Sequence, residues 1–233
     1  MNKKPVSPLL EARFTLSYIV MAGAKSNLVP GIQKGRTRQN AFSKKFAETV
    51  QYIVNSITKP FKLFFQDESR FGRISKTISC WSPVGQRPTV PSQIVREYTY
   101  AYTAACPLDG KTVSLILPDM STECMNVFLE ELSNRYCNEH VILVFDGASS
   151  HRSKDMKVPD NISLIPLPPY SPELNPVECF WKEVKKKGFY NRVFTCMKQV
   201  EDLLEDNLKY VEDHPEQVRS IVAFDWIISA LNF

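Results

Sequence analysis

Apolar residues first recur at helical spacing at Phe42, Phe46, Val50, Ile53, Val54 and Ile57, and Pro60 closes the run. This predicts an amphipathic helix from Phe42, preceded by a basic linker over Gly31-Ile-Gln-Lys-Gly-Arg-Thr-Arg-Gln39. Lys62-Leu-Phe-Phe-Gln66 is a short apolar run, read as a buried strand that closes on Asp67. Residues 70–92, rich in Gly, Pro, Ser and Arg, predict an excursion or irregular hairpin. Glu97–Cys106 and Lys111–Leu117 are rich in Tyr, Thr, Val and Ile, and Pro107-Leu-Asp-Gly110 joins them as a hairpin turn in which Gly110 supplies positive φ. A helix near 121–136 has Met125, Phe128, Leu129, Leu132 and Tyr136 on one face. Val141-Ile-Leu-Val-Phe145 is another buried strand, ending on Asp146-Gly147, and Ile162–Leu167 is a further one. Pro168-Pro-Tyr-Ser-Pro172 turns the chain into a helix that opens at Asn175-Pro176-Val177-Glu178 and runs to about Lys187. A last amphipathic helix spans roughly Met197–Tyr210, and no internal repeat is present.

Strand, antiparallel pair, helix, strand, helix or loop, strand, helix is an α/β order of the ribonuclease H-like kind: a mixed sheet flanked by helices. The order alone says little about function. At 233 residues the chain fits a basic N-terminal arm or remnant linker over 1–41 and one domain over 42–233, large enough to bury its own core. Charge separates these parts. Residues 1–60 carry ten Lys/Arg against two Asp/Glu, net +8, while residues 61–233 carry nineteen against twenty-three, net −4. A basic arm on a mildly acidic body suits a polyanionic partner at one end and carboxylate chemistry in the other, although a solvated tail has the same composition. The six cysteines show no C-x-x-C pair and the three histidines no zinc spacing, which suits a reducing cytoplasm. Lys3, Lys4 and the apolar stretch Thr15–Gly23 imitate a secretory leader, but the stretch is short and Glu11 and Arg13 precede it. No run approaches a membrane span.

Three acids sit at the ends of these elements: Asp67 and Asp146 after apolar strands, and Glu178 in the first turn of a helix. A carboxylate at a buried strand end is poorly solvated. If the two strands are neighbours, their carboxylates start about 4.8 Å apart, a spacing suited to a pair of divalent ions roughly 3.5–4 Å apart. Each acid also has a plainer reading. Asp67 fits a strand-end turn, Asp146-Gly147 is a common turn dipeptide, and Asn175, Pro176 and Glu178 resemble a capping box with Glu178 at its third helical position.

The segments Phe65-Gln-Asp-Glu-Ser-Arg-Phe-Gly72, Val144-Phe-Asp-Gly-Ala-Ser-Ser-His151 and Leu167-Pro-Pro-Tyr-Ser-Pro-Glu-Leu-Asn-Pro-Val-Glu178 resemble the signature blocks of mariner-like bacterial insertion-sequence transposases, of the DDE endonuclease superfamily. Trp81-Ser-Pro-Val-Gly-Gln86 and Phe180-Trp181 are similar to that family too, and the likeness covers about residues 42–230. It implies a ribonuclease H-like catalytic domain with Asp67, Asp146 and Glu178 as catalytic residues and ligands of two Mg²⁺ ions, Mn²⁺ being able to substitute. The implied reaction is phosphodiester cleavage at transposon ends followed by strand transfer into target DNA. The implied assembly is a homodimer or larger on DNA, in a bacterial cytoplasm at the nucleoid.

His151 follows the second acid and is read either as facing the scissile phosphate or as a surface or helix-capping residue. Glu68 is left out of the triad, because adjacent strand residues point to opposite faces. Lys182, Lys185, Lys186 and Lys187, on the helix of Glu178, suit phosphate tracking or a solvated face equally. The family carries helix-turn-helix modules ahead of the catalytic domain, and residues 1–40 show no recognition helix, so the expectation is a split-frame product or a decayed copy. The alternative function is accordingly an inactive or repurposed remnant that only binds DNA. A haloacid dehalogenase-type phosphatase would need a second Asp two positions after the first, and neither Asp67 nor Asp146 is followed that way.

Overall fold

The structure, a computed structural model, describes residues 30–146 and 155–231, the first twelve of them as backbone only. Its elements in chain order are α1 (Pro30–Ser56), β1 (Phe61–Ile74), β2 (Ile94–Ala105), β3 (Thr112–Leu117), α2 (Thr122–Arg135), β4 (His140–Phe145), β5 (Ile162–Pro166), α3 (Val177–Lys186), α4 (Met197–Glu212), α5 (Pro215–Val222) and α6 (Asp225–Ala230). Among the described residues no helix is long and apolar enough to cross a membrane.

The strands form one sheet in the order β3-β2-β1-β4-β5. β1 pairs antiparallel with β2, and β2 with β3, while β1–β4 and β4–β5 are parallel. Apolar runs such as Val141–Phe145 belong in the parallel half, where helices cover both faces. Alternation along β1 divides the core. Leu63, Phe65 and Phe71 face one side with Phe46 and Val50 of α1, Phe180, Trp181 and Val184 of α3, and residues of α4, α5 and α6. Phe64 faces the other side with Tyr102 and with Met125, Phe128, Leu129 and Leu132 of α2. Ser121 caps α2, its hydroxyl accepting from the Cys124 N–H at 3.2 Å. In the β2–β3 turn Gly110 takes φ +74°, and a Cβ there would lie 1.8 Å from the Pro215 carbonyl oxygen. The glycine therefore serves both the turn and the docking of α5.

Four elements differ from the sequence reading. β1 does not stop at Gln66 but runs on to Ile74, because β2 supplies hydrogen-bonding partners from Phe65↔Ala105 to Gly72↔Tyr98 and again at Ile74↔Ile94. The irregular stretch is thus shorter, and Trp81 and Val84 stand fully exposed on it. α1 begins at Pro30, so the span expected as linker is helical backbone. Pro30 suits a first helical turn, and the docked half from Phe42 lets good helix formers propagate despite Gly31 and Gly35. Two short helices, α5 and α6, follow where none was expected, and bury Val218, Val222 and Ile227 against the α3 side of the core.

Candidate active site

Asp67 is an interior strand residue. On β1 it shares the parity of Leu63, Phe65 and Phe71, which pack on the α3 side. Parallel pairing of β1 with β4 ends at Phe65↔Val144. Carrying that register two residues further sets Asp67 level with Asp146, the residue immediately after β4. Neighbouring strands lie about 4.8 Å apart, so the two carboxylates start side by side where β4 stops and β1 continues.

Glu178 enters from α3, as its second residue. The capping box expected around it does not form. The Asn175 N–H donates to the Pro172 carbonyl at 3.0 Å, and the Asn175 carbonyl accepts from the Glu178 N–H at 3.2 Å. The capping position falls on Pro176, which offers no side-chain acceptor. Glu178 borders a cleft of about 430 Å³, lined also by Pro172, Glu173, Asn175, Cys179, Lys182 and Phe224.

Electrostatics ties the three acids together. Asp67 is only 8% exposed. Burial holds its carboxyl well above the usual carboxylate range, and the charges of Glu178, Glu68 and Asp146 push it the same way, in that order. A buried carboxyl whose proton affinity is raised by neighbouring acids is a hard oxygen donor that a divalent cation suits. Among the described residues, no three His, Cys, Asp or Glu side chains are already drawn together as a metal cage.

The remaining candidates separate. Glu68 has the parity of Phe64 and belongs to the α2 side, where its charge adds to the burial that raises the Tyr102 pKa. Of the four α3 lysines, Lys185 turns toward β1. Its Nζ donates to the Ser69 hydroxyl at 2.6 Å and lies 5.3 Å from the Phe71 ring centre. Burial lowers its pKa and Lys76 adds to that, while Glu178 and Asp67 act in the opposite sense. Lys186 pairs with Glu183 at the surface, Lys187 lies over Tyr210, and Lys182 is exposed beside the cleft. Lys185 could have been singled out from sequence, since it lies seven residues, two turns, after Glu178 and so shares its face. Asn175 reads from the sequence only as a cap. His151 lies outside the described residues.

Residues 62–201 match the family model for the DDE superfamily endonucleases. The chain is 36% identical over 133 residues to the uncharacterized protein y4pE/y4sA of Sinorhizobium fredii, a match covering 55% of this chain and 96% of that protein. Its fold is similar to the Mos1 mariner paired-end complex with Mn, with a TM-score of 0.54 and 17% identity over 84% of this chain and 63% of that one. It is also similar to the Mos1 transposase paired-end complex with left transposon end, with a TM-score of 0.51 and 15% identity over 85% of this chain and 64% of that one. The chain thus spans less than two thirds of the length of either Mos1 structure. What it shares with them is a ribonuclease H-like fold, the mixed five-stranded sheet flanked by helices.

Proposed function

We propose, from the premise that this chain belongs to the DDE superfamily endonucleases, that it is the catalytic domain of a DNA transposase that cuts at transposon ends and transfers the cut strands into target DNA. The observation that carries this reading is Asp67: an acid on a continuing strand, nearly buried, level with Asp146 by register and electrostatically coupled to Glu178.

In this reading Asp67, Asp146 and Glu178 are the metal ligands. They would hold a pair of Mg²⁺ ions, or Mn²⁺ in their place. Carboxylate oxygens are the donors such hard cations prefer. Bound there, the cations would supply Lewis-acid activation of the attacking oxygen and stabilisation of the leaving oxygen in an in-line displacement. The chain's own part is positional. β1 and β4 fix two acids on a rigid sheet, and α3 brings the third across the sheet's face. The neighbouring acids oppose ionisation of Asp67, and a bound cation would relieve that repulsion. Lys185, held by Ser69 beside Asp67, adds a fixed positive charge at its edge. DNA is the substrate, and a homodimer or larger assembly on DNA brings two ends together.

Nicking of supercoiled plasmid by the full chain in Mg²⁺, Mn²⁺ or EDTA tests the proposal. Nicking is expected with either metal, none in EDTA, and none from Asp67→Ala or Asp146→Ala proteins that melt cooperatively. Nicking that persists in excess EDTA or in both variants overturns it. DNA binding by the parent with no metal-dependent nicking supports a repurposed remnant instead.

A further inference from the structure

Asn175 is 3% exposed and uses both ends of its side-chain amide. Its Nδ2 donates to the Gln66 carbonyl at 2.9 Å, across 109 positions of sequence. Its Oδ1 accepts from the Val177 N–H at 3.1 Å, at the first residue of α3. The two bonds end one residue before Asp67 and one residue before Glu178. Their place in the sheet explains why a side chain is needed. Pairing between β1 and β4 ends at Phe65↔Val144, so the main chain of β1 beyond that point has lost its parallel neighbour. A buried carbonyl there needs another donor. Gln66 is itself fully buried, and neither polar atom of its side chain has a partner, so the segment is gripped through its main chain.

We infer that Asn175 is a positioning residue that ties β1 to the start of α3 and so fixes the separation of Asp67 and Glu178, a role that rests on reading those acids as metal ligands. It touches neither metal nor DNA. Its effect is to keep two carboxylates on different elements at the span a cation needs, against their mutual repulsion. Ser separates the two bonds. A serine hydroxyl at 175 can still accept from the Val177 N–H in a local turn but is too short to reach the Gln66 carbonyl. Asn207 provides the control. It is also buried and donates to the Lys187 carbonyl at 3.2 Å, at the opposite end of α3 and away from the acids.

The test is Mn²⁺ binding to the full chain without DNA, read from the free-Mn²⁺ electron paramagnetic resonance signal, with melting in EDTA as the check on folding. Asn175→Ser is expected to melt cooperatively and to weaken Mn²⁺ binding about tenfold or more, the usual scale for losing an outer-shell partner. The metal concentration for half-maximal plasmid nicking shifts in parallel, and saturating Mn²⁺ recovers most of the rate. Asn207→Ser leaves Mn²⁺ affinity at the parental value. Parental affinity in Asn175→Ser overturns the positioning role, and an equal loss in Asn207→Ser overturns its specificity. A parent that binds no Mn²⁺, or an Asp67→Ala protein that binds as the parent does, sinks the metal-ligand reading itself and the role of Asn175 with it.

Discussion

Replacing Asp67 by Asn keeps the shape of the side chain and removes its charge, and without metal this stabilises the fold. Asp67 is 8% exposed, and burial foremost, then Glu178, Glu68 and Asp146, raise its pKa. A carboxyl that holds its proton more tightly folded than unfolded makes no net contribution below the ordinary carboxylate range. Above that range stability falls as pH rises through the raised folded-state value, and the full penalty is present beyond it. In EDTA the parent should therefore lose stability from about pH 4 towards neutrality, and Asp67→Asn should lose less. Burying one carboxylate among like charges, with its partners still half in water, costs on the order of 2 kcal/mol. At roughly 2–4 °C per kcal/mol for a domain of this size, Asp67→Asn should melt about 4–8 °C higher than the parent at pH 7.5 in EDTA. Mn²⁺ reverses the comparison. At a hundredfold excess over its dissociation constant it stabilises the parent by about 2.7 kcal/mol, and Asp67→Asn gains little. Melting curves of both proteins at pH 5 to 8, in EDTA and in MnCl₂, provide the measurement. An Asp67→Asn protein that melts below the parent at pH 7.5 in EDTA, or keeps the parent's pH slope, would refute the reasoning.

Glu178→Gln should melt at or above the parent's temperature in EDTA, because it removes the foremost charge acting on Asp67 and costs no cap, the Asn175 N–H being taken by the Pro172 carbonyl. It should also lose both plasmid nicking and Mn²⁺ stabilisation, and near-parental nicking would move the third acid elsewhere. Gly110→Ala puts a Cβ 1.8 Å from the Pro215 carbonyl oxygen and should cost more than about 3 kcal/mol in urea unfolding, whereas Gly85→Ala, at φ +82° in open space, should cost only about 1–2 kcal/mol. Residues 1–29 hold Lys3, Lys4, Arg13 and Lys25. Deleting them should lower the slope of log affinity for duplex DNA against log salt by up to about 3.6, and an unchanged slope would assign the phosphate contacts to other cations.

Hydrophobic period made the sheet legible. Strands such as Val141–Phe145 carry unbroken apolar runs that only a parallel, doubly covered strand needs, and the observed β4 differs by one residue. Where polar chemistry competes with pairing, local reading fails. Asp67-Glu-Ser-Arg looks like the end of a strand, and nothing local reveals that β2 continues to pair with it. The same holds at Asn175. Asn before Pro and three before Glu reads as a cap, because the competing acceptor, the Gln66 carbonyl, is 109 residues away. α5 and α6 escaped notice because eight and six residues are too short to display a period. The three acids stood out through the blocks around them, since each taken singly has an ordinary structural explanation.

The misread strand end explains why chemistry would sit where it does. Had β1 stopped with β4, Asp67 and Asp146 would both occupy loops at the sheet's rim, open to water and loosely held. Because β1 outruns β4 by nine residues beyond the last pairing at Phe65, Asp67 is fixed by β2 on one side and has lost its strand neighbour on the other. The lost neighbour leaves an opening. Asp146 follows directly on the end of β4, Glu178 stands in the first turn of α3, and the Asn175 amide joins the Gln66 carbonyl of β1 to the start of α3. Asp67 is thus buried on a continuing strand, and the charges of Glu178 and Asp146 act on it from neighbouring elements. A parallel pairing that stops two residues before an acid, on a strand that an antiparallel partner carries onward, holds that acid on a fixed main chain beside the end of the neighbouring strand.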